Sequence, residues 1–355
     1  MPSTLNSSSA EVAKTPAAAP DKLVILGTGG TIAGTAAQSG DNVGYTAAQR
    51  SIADLLTGVP ALAAQAFETE QVAQLDSKDM DNASWQRLAQ RVAHHLTRPE
   101  VAGIVISHGT DTLEETAWLL QRVLAPAKPV VLVASMRPAT ALAADGPQNL
   151  LDAVAVARTA GARGVLAVLA GRVHAAGRVR KVHTYRLDAF DSGDGGPLGV
   201  VEEGVLRRFA DWPAGEALGI DLLAGDVVTW PWVEIVTSHG GARPDAVRAL
   251  LAAGVAGLVV ATTGNGSVHQ ALQPALIEAA TAGIPVWRAT RCAGGVIVGA
   301  GAGAGASAGP AAAMSPWQAR LALLLFLLVQ RRQTASGGHH TTVKLTSMLP
   351  RVALE

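Results

Sequence analysis

The sequence feature that most constrains the fold is residues 22–34, where an apolar run stops at a cluster of glycines. The run Leu23–Leu26 is typical of a parallel strand that is buried on both faces. It ends in a turn that carries Thr28 and Thr31. The glycines of this turn leave room for backbone N–H groups to approach a ligand, and they are Gly27, Gly29 and Gly30. Because α/β sheets bind ligands beyond the carboxyl ends of their strands, we expect this turn to form the floor of an active site.

A second stretch, residues 101–112, repeats this design with an apolar strand, a glycine and a threonine. Gly109 and Thr110 follow the end of the strand, and Asp111 adds a carboxylate beside the threonine hydroxyl. The second stretch therefore repeats the strand, glycine and hydroxyl of the first and adds a carboxylate.

A strand-like and a helix-like segment recur about every 25 to 30 residues, which predicts right-handed βαβ units and a parallel sheet. We therefore predict an α/β fold with two domains, a larger N-terminal one built on a mostly parallel sheet with flanking helices and a smaller C-terminal α/β domain. The predicted strands are 23–26, 66–74, 101–107, 129–134, 164–169, 233–236, 257–262 and 284–288. The predicted helices are 47–63, 83–97, 114–124, 150–159, 244–253, 273–282 and 321–329.

Composition shifts along the chain suggest where the domains begin and end. Residues 1–20 are rich in Ser, Ala, Thr and Pro, which indicates a disordered tail without the apolar core of a secretory signal. The remaining predicted segments are a catalytic domain over 21–208, a linker over 209–230, a C-terminal domain over 231–332 and an unassigned tail over 333–355. Residues 299–309 alternate Gly and Ala and are expected to form a flexible loop.

Charge and cysteine content exclude several classes of partner. The formal net charge is zero, so bulk electrostatics favours neither nucleic acid nor an anionic membrane as a partner. The single cysteine, Cys292, excludes an internal disulfide and gives no reason to expect an oxidising compartment. The nine apolar residues 321–329 fall far short of the ~20 that a spanning helix needs. We therefore expect a cytoplasmic protein.

Four motifs occur in a fixed order along the chain. They are Thr-Gly-Gly-Thr-Ile-Ala at 28–33, His-Gly-Thr-Asp-Thr at 108–112, Met-Arg-Pro-Ala-Thr at 136–140 and Ala-Asp-Gly-Pro-Gln-Asn-Leu at 144–150. This combination resembles the bacterial L-asparaginase and glutaminase-asparaginase family. The resemblance spans 22–290 and implies hydrolysis of the side-chain amide of L-asparagine to L-aspartate and ammonia through a threonine acyl-enzyme, with glutaminase side activity and with no cofactor or metal.

The resemblance also implies catalytic roles. In that family a tyrosine on a loop closes over the first threonine, and Tyr45 lies in a suitably small and polar loop. A lysine pairs with the Thr-Asp of the second motif, which corresponds to Lys181, Thr110 and Asp111. A neutral lysine can accept a proton from a hydroxyl, whereas arginine cannot. In this hypothesis Thr28 attacks the amide carbon, although the sequence does not decide which threonine forms the ester.

The same resemblance suggests how the substrate is held. Ser77 is expected to hold the α-carboxylate, and the backbone of the glycine turns is expected to hold the developing oxyanion. Asn265, in a Gly-Asn-Gly turn, is expected to complete the site of a neighbouring subunit. This role implies a homodimer or homotetramer with active sites at subunit interfaces.

Two features depart from the family pattern at the end of the site that would bind the substrate amine. Lys78 stands where family members commonly carry an amide or a carboxylate. A cation facing the α-ammonium group would repel it, so either Lys78 turns away or this end of the substrate is recognised differently. Residues 279–354 contain no Asp or Glu, so the carboxylate that often reaches the substrate across the interface is absent.

Three alternatives remain. A dinucleotide-binding site starting at Gly27 would need glycine at 32, where the chain has Ile32. An amidase for a tRNA-linked substrate would carry a basic module, and none is evident. A non-catalytic amino-acid-binding protein of the same fold is the third alternative.

Overall fold

The computed structural model describes residues 21–298 and 311–335. Within them, an eight-stranded mixed sheet and a four-stranded parallel sheet are flanked by helices, which confirms the predicted two-domain α/β fold. The strands of the larger part are β1 (Lys22–Gly29), β2 (Thr35–Ala36), β3 (Tyr45–Thr46), β4 (Glu68–Leu75), β5 (Val101–Ser107), β6 (Pro129–Val133), β7 (Gly164–Leu169), β8 (Arg172–Ala175), β9 (Arg180–Lys181), β10 (Phe190–Asp191), β11 (Gly199–Glu202) and β12 (Val205–Arg208).

Helices of the larger part are α1 (Ile52–Thr57), α2 (Pro60–Ala63), α3 (Asn82–Leu96), α4 (Leu113–Leu124) and α5 (Gly146–Ala157). The smaller part contains β13 (Val233–Thr237), α6 (Asp245–Ala252), β14 (Gly257–Thr262), α7 (Gln273–Thr281), β15 (Val286–Thr290), β16 (Ala311–Ala312) and α8 (Pro316–Ala335). No helix of the described residues is both long and apolar enough to cross a membrane.

The order of strands in the large sheet determines where a site can form. The order is β12-β11-β8-β7-β6-β5-β1-β4, and the five strands from β7 to β4 run parallel. The chain passes from β1 to β4 on one side and returns to β5 on the other side. This reversal opens a crevice at the carboxyl ends of β1 and β5, which is where α/β sheets bind ligands.

Alternating residues of β1 explain why this strand is apolar throughout. Leu23 and Ile25 pack into the core under α1 and α5, whereas Val24 and Leu26 pack into the core under α3 and α4. Both faces of the strand are therefore fully buried, as the continuous apolar run predicted.

The two domains share one hydrophobic core. Leu321 and Leu323 of α8 lie in the same cluster as Trp118 of α4, and both leucines are inaccessible to solvent. The predicted linker 209–230 also packs into this cluster through Leu222, Leu223 and Trp230. The C-terminal helix is therefore part of the support beneath the large sheet. The domain boundaries themselves stay a prediction.

Several predicted elements differ in extent. The helix predicted over 47–63 begins only at Ile52 and is interrupted at residues 58–59. Pro60 then begins a second helix, because proline fits the first turn. Helix α5 begins at Gly146, before the predicted 150, and again has proline in its first turn. Strand β15 begins at Val286, two residues after the predicted start. The predictions for 1–20, 299–309 and 336–355 lie outside the described residues, apart from the tail's first three residues, 333–335, which end α8.

Candidate active site

The ends of three strands meet through glycines at the carboxyl edge of the large sheet. Gly30 has φ 81°, and a Cβ there would overlap the backbone of Gly109. A Cβ on Gly109 would in turn overlap the hydroxyl of Ser77. Gly29, with φ 101°, lies equally close to the backbone of Leu75. These glycines are required because side chains would separate the ends of β1, β4 and β5.

The two threonines of the first turn have different hydroxyl partners. Thr28 lies at the end of β1, is 1% exposed, and donates its hydroxyl proton to the carbonyl oxygen of Ser107 at 2.9 Å. This bond joins β1 to β5. Thr31 begins a 3₁₀ turn, and its Oγ1 lies 2.8 Å from the hydroxyl of Tyr45. The threonine that contacts Tyr45 is therefore Thr31, whereas the sequence analysis had paired Tyr45 with Thr28.

A short hairpin places Tyr45 over the first turn. Its two strands, β2 and β3, pair Ala36 with Tyr45 and Thr35 with Thr46. The ring of Tyr45 also lies against Gly34, where a Cβ would overlap it. The small polar loop that carries Tyr45 thus packs against the turn that carries Thr31.

Lys181 joins the second turn from a strand outside the large sheet. Its Nζ donates to Thr110 Oγ1 at 2.8 Å and to Asp111 Oδ1 at 2.6 Å. Thr110 is 5% exposed, whereas half of the Asp111 side chain is exposed. The three residues that the sequence analysis grouped are therefore in mutual contact, with a buried hydroxyl, an amine and a carboxylate in one hydrogen-bonded cluster.

Ser77 and Lys78 follow β4 at the rim of this cluster. Ser77 is buried, and its Oγ accepts the backbone N–H of Asp111 at 3.1 Å, so its own hydroxyl proton remains available. The Nζ of Lys78 donates to Asp79 at 2.7 Å and to Asp76 at 3.1 Å. Hydrogen bonds from Lys78 to Asp79 and Asp76 raise the pKa of its ammonium group. Two neighbouring carboxylates thus offset the charge of Lys78.

Asn265 makes its side-chain contacts within its own chain. The amide Nδ2 donates to the carbonyl oxygen of Val298 at 2.8 Å, and Oδ1 accepts the Val298 N–H at 2.7 Å. This pairing ties the Gly-Asn-Gly turn after β14 to the backbone of Val298. The proposed contact of Asn265 with a neighbouring subunit stays a prediction.

A buried polar chain fixes the second turn from beneath. His108 Nδ1 lies 2.7 Å from the carbonyl oxygen of Gly109, which can only accept, so Nδ1 carries a proton and donates it. In the neutral ring Nε2 is then an acceptor, so the Thr116 hydroxyl donates to it at 3.0 Å while Trp85 Nε1 donates to Thr116 Oγ1 at 2.9 Å. The imidazole is fully buried, and burial lowers the pKa of His108 to about 4. His108 is therefore a neutral group that orients the backbone before Thr110.

The sequence analysis did not single out three side chains at the site. His108 fixes the second turn, Glu114 accepts the backbone N–H of Lys181, and Ser315 of the C-terminal domain donates to Glu114. Of these, His108 and Glu114 carried a signal in the sequence, because each is a titratable residue within a buried segment. Ser315 carried none. Among the described residues, no group of three or more His, Cys, Asp or Glu side chains could hold a metal ion.

Comparison with known proteins identifies two family models in the chain. The model described as asparaginase, N-terminal, matches residues 22–213, and the glutaminase/asparaginase C-terminal domain matches residues 232–336.

Individual relatives agree with these matches. A glutaminase-asparaginase of Pseudomonas fluorescens biotype A is 40% identical over 280 residues, which are 78% of this chain and 77% of the relative. L-asparaginase 2 of Bacillus subtilis (strain 168) is 35% identical over 306 residues, or 85% of this chain and 81% of the relative. The crystal structure of a probable cytoplasmic L-asparaginase from Campylobacter jejuni superposes with a TM-score of 0.81 and 34% identity, and the match covers 86% of this chain and 94% of that one.

The buried state of His108 predicts an acid-sensitive fold. Its folded pKa of about 4 lies below the ~6.5 expected for an unfolded chain, so the unfolded state binds more protons as the pH falls through this window. The contribution of neutral His108 to the free energy of unfolding is fully present above pH ~6.5 and is lost as the pH falls towards ~4. The loss amounts to about 2 kcal/mol between pH 7 and 4.5. We expect His108→Gln to weaken the decline in unfolding free energy between these pH values, as measured by urea denaturation.

His174 serves as the comparison for this experiment. It is also buried, with a pKa lowered to about 4, first by burial and then by the charge of Arg172. His174→Gln should weaken the same decline without touching the site. A decline that is identical in the parent and in His108→Gln would contradict the neutral assignment of His108.

Proposed function

The chain belongs to the glutaminase/asparaginase family of amidohydrolases, and from this premise we propose that it hydrolyses L-asparagine to L-aspartate and ammonia, with side activity on L-glutamine. The observation that carries the proposal is the pairing of two threonine hydroxyls with two proton-transfer groups at adjoining strand ends. One pair is Thr31 with Tyr45, and the other is Thr110 with Lys181. Acyl transfer by a neutral hydroxyl needs such a partner, because the hydroxyl alone is a weak nucleophile.

We assign the nucleophilic role to Thr31. The hydroxyl of Thr28 is committed to the Ser107 carbonyl, and breaking that bond would leave a buried acceptor unpaired. Thr31 has no such commitment, since its partner Tyr45 can receive the proton at 2.8 Å. In the first step Thr31 Oγ1 bonds to the amide carbon, its proton passes through Tyr45 to the leaving nitrogen, and ammonia departs. Backbone N–H groups of the two glycine turns stabilise the oxyanion.

The second cluster is assigned to the hydrolytic step. Water adds to the acyl carbon, and its proton passes through Thr110 to Lys181, a step that requires an unprotonated amine on Lys181. The carboxylate of Asp111 then stabilises the resulting ammonium at 2.6 Å. Collapse of the tetrahedral intermediate returns the proton to Thr31 and releases aspartate, so each group ends in its starting state.

The proposed substrate pose places the α-carboxylate at Ser77 and the α-ammonium at Asp111. Ser77 retains a hydroxyl proton to donate, and Asp111 uses only one carboxylate oxygen for Lys181. The exposed half of Asp111 can therefore accept a bond from the ammonium group. This assignment supplies the amine contact that the acid-free segment 279–354 lacks.

Separate replacement of Thr31 and of Thr28 tests the proposed mechanism. Thr31→Ala removes the nucleophile, so we expect kcat for L-asparagine to fall at least ~100-fold. Thr28→Val keeps the side-chain shape and removes only the hydroxyl that joins β1 to β5, so we expect a kcat within about fivefold of the parent. Ammonia release by each variant, with circular dichroism to confirm folding, provides the measurement. The reverse order of effects would assign the ester to Thr28.

The same assay separates the enzyme from the non-catalytic alternative. A binding protein would release no ammonia from either amide yet would melt at a higher temperature when L-aspartate is present. These two results together would be consistent with the fold and the site geometry but would exclude the proposed reaction.

Lys78 provides a test of the substrate pose. Lys78→Gln leaves Asp76 and Asp79 without their cation, so the rim becomes more negative and attracts the α-ammonium of asparagine more strongly. We expect KM for L-asparagine to fall about two- to fivefold at low salt with little change in kcat. Succinamate lacks the amine and serves as the control substrate. An equal change in KM for both substrates would contradict this pose.

We further propose that two or four copies of the chain associate. Large apolar side chains are exposed on the C-terminal domain, among them Ile277, Trp232 and Trp317, and such exposure is typical of protein interfaces. Light scattering of the purified chain should give a mass of two or four copies. A monomer at working concentration would contradict both the association and the interfacial role of Asn265. The cytoplasmic location stays a prediction.

A further inference from the structure

Lys181 lies on a strand that the large sheet does not hold. Strand β9 is two residues long and, among the residues that the structure describes, pairs only with β10, where Lys181 faces Phe190. A two-residue ladder is a weak support for a side chain that must meet Thr110 within hydrogen-bonding distance. Further contacts are therefore needed to fix this backbone.

Glu114 supplies one of these contacts. This residue lies in the first turn of α4, three positions after Asp111, and is 3% exposed. Its Oε2 accepts the backbone N–H of Lys181 at 2.8 Å. Residues 110–114 thus hold Lys181 at two points. Thr110 and Asp111 bind its side-chain Nζ, and Glu114 binds its backbone N–H.

The C-terminal domain completes the arrangement. The Ser315 hydroxyl donates to Glu114 Oε1 at 2.6 Å and accepts the N–H of Gln318 at the start of α8. The fully buried Gln318 side chain donates to the carbonyl oxygens of Val179 and Ala176, just before β9. The beginning of α8 therefore contacts both Glu114 and the segment that leads to Lys181.

We propose that Glu114 is a positioning residue that fixes Lys181 for catalysis and that, through Ser315, it makes this position depend on the docked C-terminal helix. The expected effect on kcat rests on the proposed function. The expected effect on the position of Lys181 rests on the hydrogen bonds alone. Both oxygens of Glu114 accept hydrogen bonds, one from the Lys181 N–H and one from the Ser315 hydroxyl, so the carboxylate form is the one that makes both contacts. The first turns of α4 and α8 present their positive ends to this carboxylate and stabilise its charge.

Glu115 provides a matched control. It is the next residue of α4, its side chain is 12% exposed, and it contacts α8 through Arg320 at 3.5 Å. Burial raises the pKa of both carboxyl groups. The two residues differ in that Glu114 contacts Lys181 and Ser315. Replacement of Glu115 by Gln therefore alters a buried charge at the same helical interface without releasing the lysine.

The kinetic test compares Glu114→Gln, Ser315→Ala and Glu115→Gln in the full chain, well below the lowest melting temperature. We expect kcat for L-asparagine to fall ~10-fold or more in Glu114→Gln and at least ~3-fold in Ser315→Ala, with KM within twofold of the parent. Glu115→Gln should retain kcat within twofold. Equal losses in Glu114→Gln and Glu115→Gln, or losses confined to KM, would overturn the proposal.

A second readout does not depend on turnover. The chain has six lysines, so a sample labelled with ¹³C at lysine Cε gives few signals, and Lys181→Arg identifies the signal of Lys181. This signal should shift in Glu114→Gln and Ser315→Ala and stay in place in Glu115→Gln. If the parent hydrolyses neither amide yet the signal shifts as expected, the positioning role stands and the proposed function fails. If the parent is active and the signal does not move, the positioning role fails alone.

Discussion

The structure depends on the close approach of two backbone turns, one after β1 and one after β5. Gly30 and Gly109 touch at the edge of the sheet, and neither could carry a Cβ without separating the strand ends. The residues that follow these glycines are Thr31 and Thr110, so the contact between glycines brings the two threonines to adjoining positions. The bond from Thr28 to Ser107 closes the same junction from within the sheet. The candidate site is thus a consequence of strand order, because only neighbouring parallel strands deliver two turns to one edge.

Much of this arrangement could be predicted from the sequence, because it follows from local patterns. The apolar run at Leu23–Leu26 indicated a doubly buried strand, and the glycines after it indicated a backbone approach. The grouping of Lys181 with Thr110 and Asp111 came from the family resemblance, and the three side chains do meet. The first two predictions succeeded because each depends on residue type and on the period of a single element, whereas the third depended on the family motifs.

Other features depend on contacts between distant segments, and the sequence did not determine them. Thr28 ends β1 and bonds to Ser107 of the neighbouring strand, whereas Thr31 lies beyond the strand in a 3₁₀ turn and meets Tyr45. Glu114 stands in the apolar pattern of α4 as an ordinary helical residue, and its partner Ser315 is 201 positions away. No periodicity connects two such positions.

The separation of these partners along the chain has a consequence for folding. The bonds that define the site join residues 70 positions apart at Lys181 and Asp111, 79 apart at Thr28 and Ser107, and 201 apart at Glu114 and Ser315. Closure of long loops costs entropy that only the finished core offsets, so such contacts form late. The parallel sheet can therefore be largely assembled while the lysine is still unplaced. During synthesis, Ser315 and the start of α8 must leave the ribosome before Glu114 can meet its hydroxyl partner. Docking of α8 is therefore the event that completes the site.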